Sequence, residues 1–179
     1  MALDSTQITV AGTGAVYTCD AAGASLPTSA SGTPSGYTEM GYTTEAGVVF
    51  HVGMTSVDIK AWQSFYPVRT MVTERDANVK FTLLQWNADT FDLAFGAGGA
   101  AGEPGLEGTL DNRSLVIDIE DGGDVSRLVI ENGMVSDVDD INFTKGAAAD
   151  LGITFKVLGT DGTVPWYFTS DSAILSAAS

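Results

Sequence analysis

The sequence predicts a mainly β protein, a β-sandwich or barrel with one flanking α-helix, and three observations support that class. Short runs of β-branched and aromatic residues recur from Gly47 onward between Gly, Asp and Asn punctuation, the pattern of strands joined by turns. Two stretches alternate with period two: Val79, Phe81 and Leu83 around Lys80 and Thr82, and Leu115, Ile117 and Ile119 around Val116 and Asp118. One segment only, residues 87–96, carries both start and stop signals of a helix.

Taken in order, the first 46 residues read as an N-terminal arm and a long loop, and residues 47–179 as the β-rich body of a single domain. Between 19 and 36, fifteen of 18 residues are Gly, Ala, Ser, Thr or Pro, too few large apolar groups to offset the cost of ordering the chain. Such a loop is expected to become ordered against a partner. Val49-Phe50-His51-Val52 alternates as a strand, and Val79 to Leu83 and Leu115 to Ile119 read as half-buried strands. In Asn87 to Gly96, Asn87 can cap free backbone N–H groups, Asp89 suits the positive end of the dipole, and Gly96 suits a left-handed C′ position. Phe91 and Phe95, one turn apart, are expected to pack on the sheet. Ala97 to Gly105 reads as a second small-residue loop. The cluster Glu120-Asp121-Gly122-Gly123-Asp124 predicts a hairpin turn leading into a strand over Val125 to Glu131. Later strands are expected over Ile153 to Leu158 and Val164 to Thr169, with Asp161-Gly162 turning between them.

Charge and composition remove several classes of function. With 23 acidic against 8 basic residues the chain carries −15 and has few cations to offer phosphates or anionic lipid. One cysteine, Cys19, makes no intramolecular disulfide, and no Lys, Arg or His stands beside it to activate the thiol. No apolar run of about 18 residues predicts a membrane span, and Met1 to Gln7 lacks the features of a signal peptide. His51, the sole histidine, has no nucleophile or carboxylate motif next to it, so a strand position facing solvent or an interface is its ordinary reading. Residues 118–140 hold eight acids against Arg127 alone, yet neither Asp118 to Asp124 nor Asp137 to Asp140 has the spacing of a calcium loop, so solvated turns explain them. No cofactor is expected. No Gly-rich stretch leads into Lys-Ser/Thr or a βαβ unit to cradle phosphate. The competing reading is a calcium-dependent adhesion or carbohydrate-binding β-sandwich, its acidic turns holding the ion and Trp86 or Trp166 stacking on sugar.

Interface chemistry offers more. Trp62 ends an alternating stretch, and four of the eight basic residues, Lys60, Arg69, Arg75 and Lys80, fall between 60 and 80. Trp and Arg are favoured at buried contacts, and a basic segment in an acidic chain can dock on acids of a neighbouring copy.

The order of several motifs resembles the major tail (tail tube) proteins of long-tailed, siphovirus-type bacteriophages, especially those of actinobacterial hosts. They are Thr13-Gly14-Ala15-Val16-Tyr17, Leu26-Pro27, Gly41-Tyr42-Thr43-Thr44-Glu45-Ala46-Gly47-Val48, Ile59-Lys60-Ala61-Trp62-Gln63, Val68-Arg69 and the Phe81-Thr82-Leu83 strand before Asn87. Arg113 to Glu131, Gly133-Met134-Val135 and the strands from Asp140 to Asp161 extend the likeness over nearly the whole chain. The resemblance implies a non-enzymatic virion protein, assembled in the host cytoplasm, whose copies form six-membered rings stacked into a tube. Its partners would be other copies of itself, a tape measure protein, and tail terminator and baseplate proteins, with DNA passing through the lumen without specific binding. Subunit contacts are then expected at Glu45, Lys60, Trp62, Gln63 and Arg69, with residues 19–46 between subunits or rings. Glu120, Asp121, Asp124, Asp137 and Asp139 are expected on exposed acidic surface or the lumen. Six copies at −15 would carry −90 per ring, a sign that repels phosphate.

Overall fold

The computed structural model describes residues 8–96, 110–159 and 162–171. The loop expected at Ala97 to Gly105, and Asp161 of the expected turn, lie outside them. Among the described residues the strands are β1 (Thr13–Asp20), β2 (Thr38–Glu39), β3 (Thr43–Lys60), β4 (Pro67–Leu83), β5 (Arg113–Asp121), β6 (Asp124–Val138), β7 (Leu151–Val157) and β8 (Trp166–Ser170), with one α-helix, α1 (Ala88–Phe95). They form a single sheet of order β2-β1-β5-β6-β7-β4-β3, and β8 pairs with β6. Every pairing is antiparallel.

The sheet curls because β6 changes partner along its length. Ser126 to Ile130 pair with β8, and Gly133 to Val138 pair with β7 on the same edge. Gly133 sits at the change: a Cβ there would lie 2.3 Å from Phe155 Cε1 and 2.6 Å from the Lys156 carbonyl oxygen. A residue without a side chain lets the strand bend where the two neighbours meet. The two halves of the sheet thereby close on one core: Val79, Phe81 and Leu83 from β4, Leu115 and Ile117 from β5, Leu128 and Ile130 from β6, and Leu151, Ile153 and Phe155 from β7. Phe50 of β3 meets Trp166 and Phe168 of β8 edge-on, with centroids 5.1 and 6.3 Å apart.

Helix α1 plugs this core. Asn87 accepts from the Thr90 N–H at 2.9 Å and Thr90 Oγ1 accepts from the Asn87 N–H at 3.0 Å, a reciprocal cap. Thr90, Leu93 and Ala94 form its buried face. Phe91 and Phe95 are half-buried side by side, as their spacing predicts; Phe95 packs against the core and Phe91 meets Trp86. Gly96 has φ 82° and ψ 157°, so it leaves the helix through a conformation reserved for glycine other than the left-handed helical one.

Some expectations change. Val116 is fully buried, although alternation placed it on a solvent face. The outer face of β1, β5, β6 and β8 is covered by residues 21–37, so Val116, Val129 and Tyr17 make a second small core with Leu26, Tyr37 and Tyr167. That strap, expected to be ordered against a partner, is held by its own chain. Arg127, almost wholly buried, donates to the carbonyl oxygens of Ser29 at 2.8 Å and Gly32 at 2.6 Å while its other N–H groups grip Asp118 at 2.6 and 2.7 Å. Tyr167 donates to the Pro27 carbonyl oxygen at 2.9 Å, and Tyr37 shares a 2.8 Å hydrogen bond with Ser114. Residues 13–20, read as part of an arm, are likewise a strand paired over its full length with β5. The two last strands form where expected, and β7 and β8 lie end to end along β6.

Candidate functional site

The feature that sets this molecule apart is the outer part of the β3–β4 hairpin. β7 supports β4 only from Asn78 to Leu83, so among the described residues the ladder from Asp76 outward consists of two strands. Eight residues of β3, Gly53 to Lys60, thus project about 25 Å from the body. The projection is built from strand formers: Val57 opposes Met71, Ile59 opposes Arg69, and Asp58 accepts from Thr70 Oγ1 at 2.7 Å. Register shifts leave Thr73 and Val68 without an opposing residue in the ladder, Thr73 Oγ1 donating instead to the Thr55 carbonyl oxygen at 3.2 Å, and bulges of this type bend and twist a ribbon. At the root, Gly53 makes room for Asp76, whose Oδ1 would lie 2.3 Å from an added Cβ.

Alternation puts Val57, Ile59 and Met71 on one face of this arm and Val52, Met54 and Val72 on the other, and all six are exposed. The tip, residues 61–66, is shaped by Ser64, whose N–H donates to the Ala61 carbonyl oxygen at 3.1 Å and whose hydroxyl donates to that of Tyr66 at 2.9 Å. It presents Trp62 and Phe65 with no side-chain burial at all, and Tyr66 at 81% exposure. An isolated two-stranded ribbon is marginal in water, and exposed apolar patches of this extent mark contact surfaces.

The residues singled out in the sequence fall into separate places. Lys60, Trp62, Gln63 and Arg69 cluster at or beside the tip and are exposed. Glu45 is exposed at the opposite end of the same hairpin, in the irregular stretch between Thr43 and Val48. The five acids do not form one patch. Glu120, Asp121 and Asp124 surround the β5–β6 turn, in which Asp121 opposes Asp124 across Gly122 and Gly123, both with positive φ. Asp121 accepts from the Val10 N–H at 2.8 Å. Asp137 and Asp139 lie at the far end of β6, where the Asp139 N–H donates to the Gly152 carbonyl oxygen at 2.9 Å.

The residues weighed for other chemistry are engaged elsewhere. His51 is an exposed strand residue opposite Asn78. Burial pushes the Cys19 thiol up, away from a reactive thiolate. Trp86 donates from Nε1 to the Ala149 carbonyl oxygen at 3.0 Å and has Phe91 and Phe143 against it, while Trp166 packs on Phe50 and Phe168. Among the described residues no three His, Cys, Asp or Glu side chains stand close enough to share a metal ion. A small polar recess beside α1 contains Asp20, Asp89 and Asp92, and Arg113 pairs there with Asp92 and, at 3.5 Å, with Asp20. Sequence reasoning missed Phe65 and Tyr66 at the tip, and Phe143; clustering of aromatics around Pro67 was the available signal for the first two.

A curled antiparallel sheet whose longest hairpin runs out into solvent, with exposed apolar side chains on both faces, presents the contact surface of a structural protein rather than a catalytic cleft. The chain belongs to the phage tail tube protein family, whose model, "Phage tail tube protein", matches residues 1–178. It is a structural component of a virion tail, not an enzyme. No curated protein matches it. Solved structures do match, three of them as follows. A chain from the virion of a native gene transfer agent particle has 12% identity and TM-score 0.45, covering 76% of this chain and 89% of that one. A chain from the tail of an empty gene transfer agent particle, refined with C6 symmetry, has 13% identity and TM-score 0.47 over 94% and 99%. A chain from the six-fold symmetrised baseplate of the anti-feeding prophage has 8% identity and TM-score 0.50 over 94% and 97%, and shares the fold.

Proposed function

We propose that this protein builds a tail tube by self-assembly into stacked hexameric rings and that the β3–β4 arm, with Lys60, Trp62, Gln63 and Arg69, is its main contact with other copies. The observation that carries this reading is the arm itself. Among the described residues its two strands lack a third along eight residues of β3, and its exposed apolar side chains on both faces would gain burial from another molecule. Closed rings satisfy the open backbone groups of strand edges without leaving new edges. In the assembled tail the lumen passes DNA without specific binding, a tape measure protein sets the length, and terminator and baseplate proteins close the ends. The acids at the β5–β6 turn and at the end of β6 supply negative surface facing the lumen or the exterior.

Electron microscopy of the purified protein at high concentration tests this: rings with six-fold symmetry and a central hole are expected. Trp62→Ala should give a folded chain that makes no tubes, because the side chain has no intramolecular contact to lose. Normal tubes from that variant would remove Trp62 from the interface.

A further inference from the structure

We propose that the aromatic tip of one copy docks on an aromatic patch at the opposite end of the β3–β4 hairpin of a second copy, so that the arm makes a head-to-tail contact. This rests on the self-assembly reading and adds the surface that receives the arm. The patch lies where β3 begins and β4 ends. Tyr42 is 78% exposed, and its carbonyl oxygen accepts from the Leu84 N–H at 2.8 Å. Beside it a row of rings runs across the end of the core: Phe143 on Trp86 at 5.6 Å, Trp86 on Phe91 at 5.1 Å, Phe91 on Phe95 at 5.7 Å. Trp86 is fixed by its hydrogen bond to Ala149, so the outermost ring, Phe143, stands on a rigid base with 75% of its surface in water. A pre-ordered aromatic surface loses little freedom when covered, which is what an anchor site requires.

Charge selects the pairing. The tip is flanked by Lys60 and Arg69, with Asp58 as the nearest acid. Near the patch residues in the chain stand Glu45, three residues after Tyr42, Asp89 in the first turn of α1, and Asp139 and Asp140 just before Phe143, against Lys145 and, three residues before the end of β4, Lys80. Tip against tip would bring like charges together and, being isologous, would stop at a dimer. Tip against patch joins unlike charges and two different surfaces, so each copy added offers a fresh tip and a fresh patch, and growth continues.

The test uses the full chain with two exposed substitutions, Trp62→Ala at the tip and Phe143→Glu at the patch, each checked for an unchanged thermal melt. Each alone is expected to raise the concentration needed for assembly at least about tenfold. Mixed in equal amounts, the intact tip of the Phe143→Glu chain can dock on the intact patch of the Trp62→Ala chain. Sedimentation velocity should then show discrete small complexes absent from either variant alone. Phe143→Glu chains that assemble like wild type, or a mixture that stays monomeric while wild type assembles, overturn the head-to-tail assignment and leave self-assembly standing. A wild-type chain that remains monomeric at high concentration overturns the self-assembly reading itself.

Discussion

Arg127→Ala tests how the small-residue strap is held. The guanidinium makes two charge-assisted bonds to Asp118, at 2.6 and 2.7 Å, and two to strap carbonyls, at 2.8 and 2.6 Å. Its side chain is 2% exposed and that of Asp118 14%, so truncation leaves a carboxylate largely out of water with no counter-charge. Breaking one side of a buried pair costs about 3–5 kcal/mol, a large share of the roughly 5–15 kcal/mol available to a domain. The two carbonyls add less, because they regain water when the strap lifts. Urea unfolding followed by fluorescence should report that loss, and hydrogen exchange should show residues 21–37 losing protection while β4 and β7 keep theirs. The double variant Arg127→Met with Asp118→Leu should cost less than Arg127→Ala alone, since no charge is orphaned. A loss below about 1 kcal/mol with unchanged exchange in the strap would refute the argument that the buried pair pins it.

Other consequences follow from single contacts. Asn87→Ala removes the helix cap and should lower stability by about 1 kcal/mol in denaturant titrations, with Asn87→Asp retaining most of it. Gly133→Ala puts a methyl against Phe155 and the Lys156 carbonyl; a loss of about 1–3 kcal/mol is expected, and an unchanged melting temperature would show that β6 can shift there. Burial, opposed by its hydrogen bond to Ser114, pushes the Tyr37 hydroxyl up to about 12. A raised phenol favours the neutral form in the fold, so its contribution is complete below pH 10 and is lost as pH rises from 10 toward 12. Tyr37→Phe should flatten that part of the stability profile.

Local signals carried most of the elements, and long-range ones carried the surprises. Asn87, Asp89 and Gly96 marked α1 because a cap and a stop act within one turn, and Gly122-Gly123 marked the hairpin because two positive-φ residues in succession permit little else. The strap escaped because its anchor lies about 95 residues away: Arg127 looked like a lone base among acids, and only the folded register brings Ser29 and Gly32 over it. The same cover explains Val116, whose outward face becomes an interior when the strap lies down. The arm was half legible. Its strands and its Trp and Arg were visible as composition, but that β7 stops at Asn78 and leaves the hairpin unsupported is a property of pairing, not of any residue within the arm.

The partition of charge links this architecture to assembly. Between Thr43 and Leu83 the acids Glu45, Asp58, Glu74 and Asp76 balance Lys60, Arg69, Arg75 and Lys80, so the hairpin is neutral and the whole −15 resides on the rest of the chain. Copies that approach through their bodies repel one another; copies that meet through the hairpin do not. The Debye length is about 8 Å at physiological ionic strength, so body-to-body repulsion is felt mainly within about that distance, while an arm projecting about 25 Å reaches a neighbour's surface well beyond it. On the proposed reading, a net-neutral, extended arm with exposed apolar side chains on an acidic body would separate adhesion from repulsion in space, and the remaining negative surface would repel phosphate.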